Sequence, residues 1–378
     1  MFQKFNSKFK EESKNKLNNK KLKINLITAL IACNFLVFTS KAELVIFAEG
    51  MADHGNLIAD FELQTGEKVI ITDSSFADNL ESLKNYSDPK VLAQPNSLKP
   101  DLFITKDITY FSALKSQGFT QSMDLLSEFE LIKTGMMDSI DQHWVGLTFR
   151  ARTLVFRSGV DVSAINTYSD LAKPEFEGYL CLRKADNSYN YGLVSYLIEQ
   201  YGEADAETIL LGWMTNLAQP IDDKKGDSVL IKDVSAGLCD LALVNHYYLA
   251  REYQTAEAEQ RKMNVNVKYL NQGQGGVHVN GFGVAFLKTS QQKDLAQKFV
   301  KMLLSEKAQT QIATAQFAFP TISTLADQVM NQGWGKFNYD PANGWGPFEA
   351  SPLVWSKIGE NLNAAKQLML DTQYMATE

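Results

Sequence analysis

The chain has 378 residues, 45% hydrophobic and 21% charged, an ordinary globular composition with enough length for one large core or two medium ones. Residues 1–42 hold nine of the 37 basic residues and two of the 44 acidic ones, so the remainder carries 28 against 42 and a net charge of −14 instead of −7. A body this acidic repels nucleic acid and anionic lipid and is compatible with a cationic ligand.

In chain order, eight lysines from Lys4 to Lys23 precede an apolar run over 24–38 that closes on Ser40-Lys41-Ala42. A basic segment, a short apolar run and a small-x-small site make a secretory signal, too short and too early for a membrane anchor. Cleavage near Ala42 and a periplasmic location are expected. Leu30-Ile31-Ala32-Cys33 also fits a lipoprotein box, but the residues after Cys33 stay apolar where a lipid anchor would need a polar tether.

Residues 43–48, 57–63 and 69–72 read as strand, amphipathic helix and strand. The pattern continues with a buried strand over 101–105 and a helix over 108–116 closed by Gly118. Residues 147–156 read as a strand passing between two domains, 168–171 as a short helix, and 179–182 as a strand. Helices follow over 189–200 and 205–216, then a wholly apolar strand over 241–244. The glycine-rich 271–276 reads as a turn or hinge, 283–287 as a strand, and Ser290 as the cap of a helix bearing Leu295, Phe299, Met302 and Leu303. A Gly, Trp and Pro-rich stretch over 331–352 leads to a closing helix over 356–370. Alternation of strand and helix makes this an α/β protein, and 336 residues beyond the signal exceed what one core usually supports, so two lobes with a cleft are expected.

Catalytic signatures are missing: the sequence has no GxxxxGK[ST], GxSxG, HExxH or CxxC. His54, His143, His246 and His278 are scattered, and His54 stands out because it follows the first strand. Cys181 and Cys239 alone survive signal removal, and both a disulfide and two buried thiols fit. Tyr247 and Tyr248 follow the apolar strand at 241–244, where open α/β sheets place ligands. If Asn245 caps a helix there, the two side chains project about 100° apart in its first turn and can converge on a cleft. Tyr189 opens a helix after a strand in the same way, so three phenols stand at equivalent turns as hard oxygen donors that a trivalent cation can ionise. Arg150 and Arg152, on the crossing strand, can balance phenolate or anion charge.

These residues sit in stretches that resemble the ferric-iron-binding periplasmic components of bacterial ABC importers: KPDLFITKDITYFSALKSQG at 99–118, TYSDLAKPEFEGYLCLR at 167–183, SYNYGLVSYLIEQYGEADAE at 188–207 and GLCDLALVNHYY at 237–248. The resemblance implies a type II periplasmic-binding-protein fold whose two lobes, each a mixed, mainly parallel sheet flanked by helices, are joined by a hinge. The lobes would be 43–150 with 277–325 and 151–276 with 326–378. It implies that Tyr247, Tyr248 and Tyr189 bind Fe3+, completed by a water or a synergistic anion at Arg150 or Arg152, and that Cys181 and Cys239 are linked. It implies a monomeric receptor, without catalysis, serving a permease and ATPase in the inner membrane. One departure stands out: the family places His, or His-Tyr, directly after the first strand, where this chain has Gly50 and Met51. His54 or Glu49 could supply a ligand from a rearranged loop. The same fold with another solute (a chelated metal, a polyamine, a thiamine-like cation or an organic anion) is the alternative.

Overall fold

The computed structural model describes residues 42–51, 55–86, 88–92, 99–133, 135–322, 324–325, 348–353 and 355–375. The proposed signal peptide with Cys33, the loop residue His54 and most of the 331–352 stretch lie outside the described residues. Among the described residues no helix is long and apolar enough to cross a membrane.

Among the described residues nine strands form one connected network whose main path runs β2-β1-β3-β8-β4-β6-β5, with β7 and β9 also pairing β4. The strands are β1 (Glu43–Glu49), β2 (Lys68–Asp73), β3 (Leu102–Thr105), β4 (Trp144–Arg157), β5 (Leu180–Cys181), β6 (Leu241–Asn245), β7 (Val265–Lys268), β8 (Val279–Phe286) and β9 (Phe319–Pro320). The parallel pairs are β1 with β2, β1 with β3 and β5 with β6. The sheet is mixed as expected, yet parallel pairing is confined to those strands, because β4 and β8 run antiparallel to every neighbour.

β4 joins the two sheets. Its first part, Trp144 to Ala151, pairs with β8, and from Arg152 onward it pairs with β6 and then also β7. Fourteen residues is long for a strand, and twelve of them are buried, as a strand shared by two covered sheets requires.

Among the described residues the helices longer than four residues are α1 (Gly55–Thr65), α2 (Phe76–Asn85), α3 (Tyr110–Ser116), α4 (Ser188–Tyr201), α5 (Glu203–Thr215), α6 (Asp227–Ala236), α7 (His246–Ala258), α8 (Lys293–Leu303), α9 (Glu306–Gln316), α10 (Trp355–Glu360) and α11 (Leu362–Asp371). Ser290 does not cap α8. Asp101 takes that role, accepting the Gln291 and Gln292 N–H groups at 3.1 and 3.2 Å and the Ser290 hydroxyl at 2.7 Å, while its other oxygen accepts the Val45 N–H at 2.9 Å. One buried carboxylate thus ties β1, β3 and the start of α8 together. The closing helix is two helices, α10 and α11, with Asn361 between them.

Cys181 on β5 and Cys239 before β6 are disulfide-linked with Cα atoms 6.1 Å apart. They lie in a buried cluster with Val155, Leu230, Val244 and Leu249, against which Tyr248 packs. This cluster fixes the base of α7, and truncating Leu249 to alanine would cost about 2–5 kcal/mol.

Candidate functional site

β6 stops at Asn245, whose backbone is extended, and α7 begins at once, so Tyr247 and Tyr248 occupy its first turn. Asn245 makes no side-chain cap; its N–H donates instead to Asp227 Oδ2 at 2.8 Å. Tyr189 is the second residue of α4, and Asn187 caps that helix by accepting the Tyr189 N–H at 2.9 Å. The two helix starts bring the phenols together: the Tyr247 hydroxyl donates to the Tyr189 hydroxyl at 3.2 Å, and the Tyr247 and Tyr248 rings lie 4.3 Å apart. All three line a cavity of about 210 Å³, whose other walls include Gly50, Lys106, Arg150, Arg251 and Phe282. Gly50 and Lys106 directly follow β1 and β3, so the cavity sits where strand ends from both sheets converge.

Burial, reinforced by the neighbouring Tyr189 and Tyr248, holds the Tyr247 phenol well above its ordinary pKa, and burial beside Tyr189 raises Tyr248. Both phenols are therefore neutral until a bound cation ionises them. Cationic side chains stand ready to compensate. The Arg150 guanidinium lies 4.6 Å from the centre of the Tyr189 ring and Arg183 lies 4.9 Å from it, while Arg251 covers Tyr247 at 5.0 Å.

The two sequence-predicted arginines part company. Arg150 lines the cavity at 7% exposure; its Nη1 donates to the Lys106 carbonyl at 2.7 Å, while Nε and Nη2 are buried with no hydrogen-bond partner among the described residues. Arg152 does not line the cavity. It is 1% exposed and its Nη1 donates to Asp227 Oδ2 at 2.8 Å, so it braces the site from behind. Asp227 also accepts from Arg183 at 3.1 Å.

Among the described residues, His143, His246 and His278 contribute no wall. His246 Nδ1 accepts the Ala151 N–H at 3.0 Å, and burial pushes its pKa down to about 3. His278 is buried and pushed down likewise to about 3, and His143 pairs with Thr120 Oγ1 at 2.7 Å. After β1 the chain is pinned by Asp73, which accepts the Gly50 and Met51 N–H groups at 2.9 and 3.2 Å; Met51 is buried. Glu49 faces Lys106 Nζ at 3.0 Å and accepts from Thr105 Oγ1 at 2.8 Å. Among the described residues no group of three or more His, Cys, Asp or Glu could hold a metal, which leaves the phenols as the candidate donors.

Sequence reasoning missed Lys106, Arg183, Asp227 and Arg251. Lys106 had a usable signal, since it follows a buried strand as Tyr247 nearly does; the other three acquire their role only through tertiary contacts.

A family model for bacterial extracellular solute-binding proteins matches residues 97–337. The chain belongs to that family. Among curated proteins, this solute-binding protein is 29% identical over 319 residues to iron uptake protein A1 of Synechocystis sp., covering 83% of this chain and 82% of that one. It is 24% identical over 354 residues to the major ferric iron-binding protein of Neisseria meningitidis serogroup B, covering 92% and 98%. Among solved structures, the Trichodesmium protein in complex with iron and citrate ligands superposes with a TM-score of 0.74 at 26% identity, over 88% of this chain and 99% of that one. The open ferric iron-binding protein A of Mannheimia haemolytica gives 0.71 at 27% identity, over 89% and 99%. The two-lobed α/β fold of these periplasmic iron-binding proteins is the fold of this chain.

Proposed function

We propose that this solute-binding protein captures ferric iron in the periplasm through the phenolates of Tyr189, Tyr247 and Tyr248 and delivers it to an inner-membrane permease and its ATPase. The observation that carries the reading is the convergence of three phenols, two of them in hydroxyl contact at 3.2 Å, in one cavity at the ends of two helices. The names of the relatives support iron as the cargo. Ferric ion is hard and trivalent, prefers anionic oxygen, and supplies the charge needed to ionise phenols that burial keeps neutral. Arg150 lines the same cavity with its guanidinium 4.6 Å from the centre of the Tyr189 ring, so its charge favours a water or an anion that completes the metal's shell.

The lobes are 43–150 with 277–325 and 151–276 with 326–378, and they close on the ion about β4 and its neighbours by a hinge. His54 is the candidate ligand from the first lobe. The chain works as a monomer after loss of residues 1–42, and binding, not turnover, is its activity. An organic cation such as a polyamine fits less well, because Lys106, Arg150 and Arg251 all face the cavity.

Metal analysis and a visible spectrum of the exported protein test the reading, since ferric tyrosinate is coloured. Iron and a broad visible band are expected, both lost in the double variant Tyr247→Phe, Tyr248→Phe. Protein that exports without iron, or a double variant with unaltered colour, would sink it.

A further inference from the structure

Helix α9 ends against the local rules of its sequence. The Ala318 N–H donates to the Ala313 carbonyl at 2.9 Å and the Phe317 N–H to that of Thr314 at 3.3 Å, the paired bonds of a Schellman close. Such a close needs one left-handed residue, and here it is Phe317, at φ 57°. Glycine is usual at that place, as Gly237 is after α6, because a Cβ in this region crowds the following carbonyl oxygen. Among the described residues the positive-φ positions without glycine are Gln142, Gln260, Asn271, Gln373 and Phe317, and Phe317 alone of these is bulky and apolar.

The contacts of the phenyl ring explain its place. The Arg251 guanidinium, one turn beyond Tyr247 on α7, lies over the Tyr247 ring at 5.0 Å, the Tyr248 ring at 6.0 Å and the Phe317 ring at 5.6 Å. Phe317 comes from the other sheet's side. Its neighbours Gln316 and Ala318 line the cavity, Thr148 Oγ1 donates to Gln316 Oε1 at 2.7 Å, and β9, which follows, pairs the part of β4 that also pairs β8. Arg251 belongs to the helix that follows β6. A right-handed residue at 317 would continue the helix and carry the ring to another bearing, so the left-handed turn and the contact with Arg251 go together.

Resting on the ferric-iron reading above, we propose that Phe317 is a positioning residue: a bulky ring is kept at a left-handed helix end because it fixes the Arg251 guanidinium over Tyr247, where negative charge collects when iron is bound. Phe317 does not line the cavity, and acts through Arg251. A guanidinium on a long flexible stem loses rotamer freedom when it is held in one place. A third aromatic face that already confines it removes part of that cost from the binding step. Backbone strain of this kind is characteristic of positions where function requires it.

The test measures iron affinity of the mature chain by competition with citrate, its visible band, and its urea midpoint. Phe317→Gly removes the ring and relieves the backbone, so the midpoint should hold or rise while iron affinity falls by about fivefold or more. Phe317→Asn, which also suits the left-handed region, should repeat that pairing of effects. Phe317→Tyr and Phe317→Trp keep an aromatic face and should bind iron within about twofold of wild type. Because the ring acts through Arg251, Phe317→Gly should have little further effect on affinity in an Arg251→Gln background. A lower midpoint with unaltered affinity, losses that add in the double variant, or Phe317→Tyr and Phe317→Trp binding as poorly as Phe317→Gly overturns this proposal alone. Wild-type protein that binds no iron overturns the iron reading and this proposal with it.

Discussion

Asp227 is the point at which the fold and the candidate site can be tested together. Its carboxylate, fully buried, accepts from Arg152 at 2.8 Å, Arg183 at 3.1 Å and the Asn245 N–H at 2.8 Å. The two guanidinium side chains are 1% and 6% exposed, so neither can turn to water if its partner is lost. Asp227→Asn keeps the shape but removes the charge and turns an NH2 group toward a donor. Removing one member of a buried ion pair costs about 3–5 kcal/mol because the remaining charge stays buried and unpaired. With ordinary domain stabilities of about 5–15 kcal/mol, that is about a fifth or more of the total. Urea denaturation followed by tryptophan fluorescence should show a large drop in midpoint with an unchanged slope. Because Arg183 stacks on Tyr189, the same variant should hold iron less tightly even under conditions where it is folded. A stability loss under about 1 kcal/mol would refute the view that Asp227 neutralises both arginines.

Further expectations follow from other contacts. Reducing the Cys181–Cys239 link, which closes a separation of 58 residues, should lower stability by about 4 kcal/mol on the loop-entropy model, read as a shift in urea midpoint with and without dithiothreitol; no shift would contradict it. His278 is neutral in the folded protein with a pKa near 3, against an ordinary 6.5 when unfolded. Below pH 6.5 the unfolded chain therefore takes up a proton that the folded one refuses, so stability present at neutral pH falls on acidification, by about 2 kcal/mol at pH 5, and His278→Asn should flatten that slope. A Cβ at Gly281 would sit 2.1 Å from the Thr148 carbonyl oxygen and 2.7 Å from Trp355, so Gly281→Ala should cost about 1–3 kcal/mol or more in thermal unfolding. Loading iron onto neutral phenols must expel their protons, so a pH indicator in weak buffer should register acid release on iron binding; none would argue against phenolate ligation.

What the sequence discloses divides along physical lines. The strands at 43–48, 69–72 and 241–244 and the helix at 189–200 stand out because their apolar residues follow one clear period, and each lies within about two residues of the observed element. Helices α2, α6 and α9 and strand β7 escaped the sequence reading, since α6 mixes buried Asp227 and Asp233 with its apolar face and β7 has only four residues. Ser290 looked like the cap of α8 because serine often is one; Asp101, nearly two hundred residues earlier, does the work instead, and no local rule can see that. The phenols were legible because each sits at a strand-to-helix turn. Arg150 and Arg152 were not separable in the sequence: they lie two apart on one strand, but Arg150 belongs to the part paired with β8 and Arg152 to the part paired with β6.

That crossing point also bears on how a ligand could close the lobes. A ligand stabilises the closed state only through contacts made there and not in the open state, and one bound equally by both shifts nothing. An ion touching only Tyr189, Tyr247 and Tyr248 touches residues of one sheet's helices, and gains nothing from closure. A ligand reaching from those phenols to Lys106, which follows β3 on the other sheet, gains a charged contact on closing. Arg150 spans the two sets, with its guanidinium on the Tyr189 ring and its Nη1 on the Lys106 carbonyl, so one side chain links residues of the two sheets across the cavity.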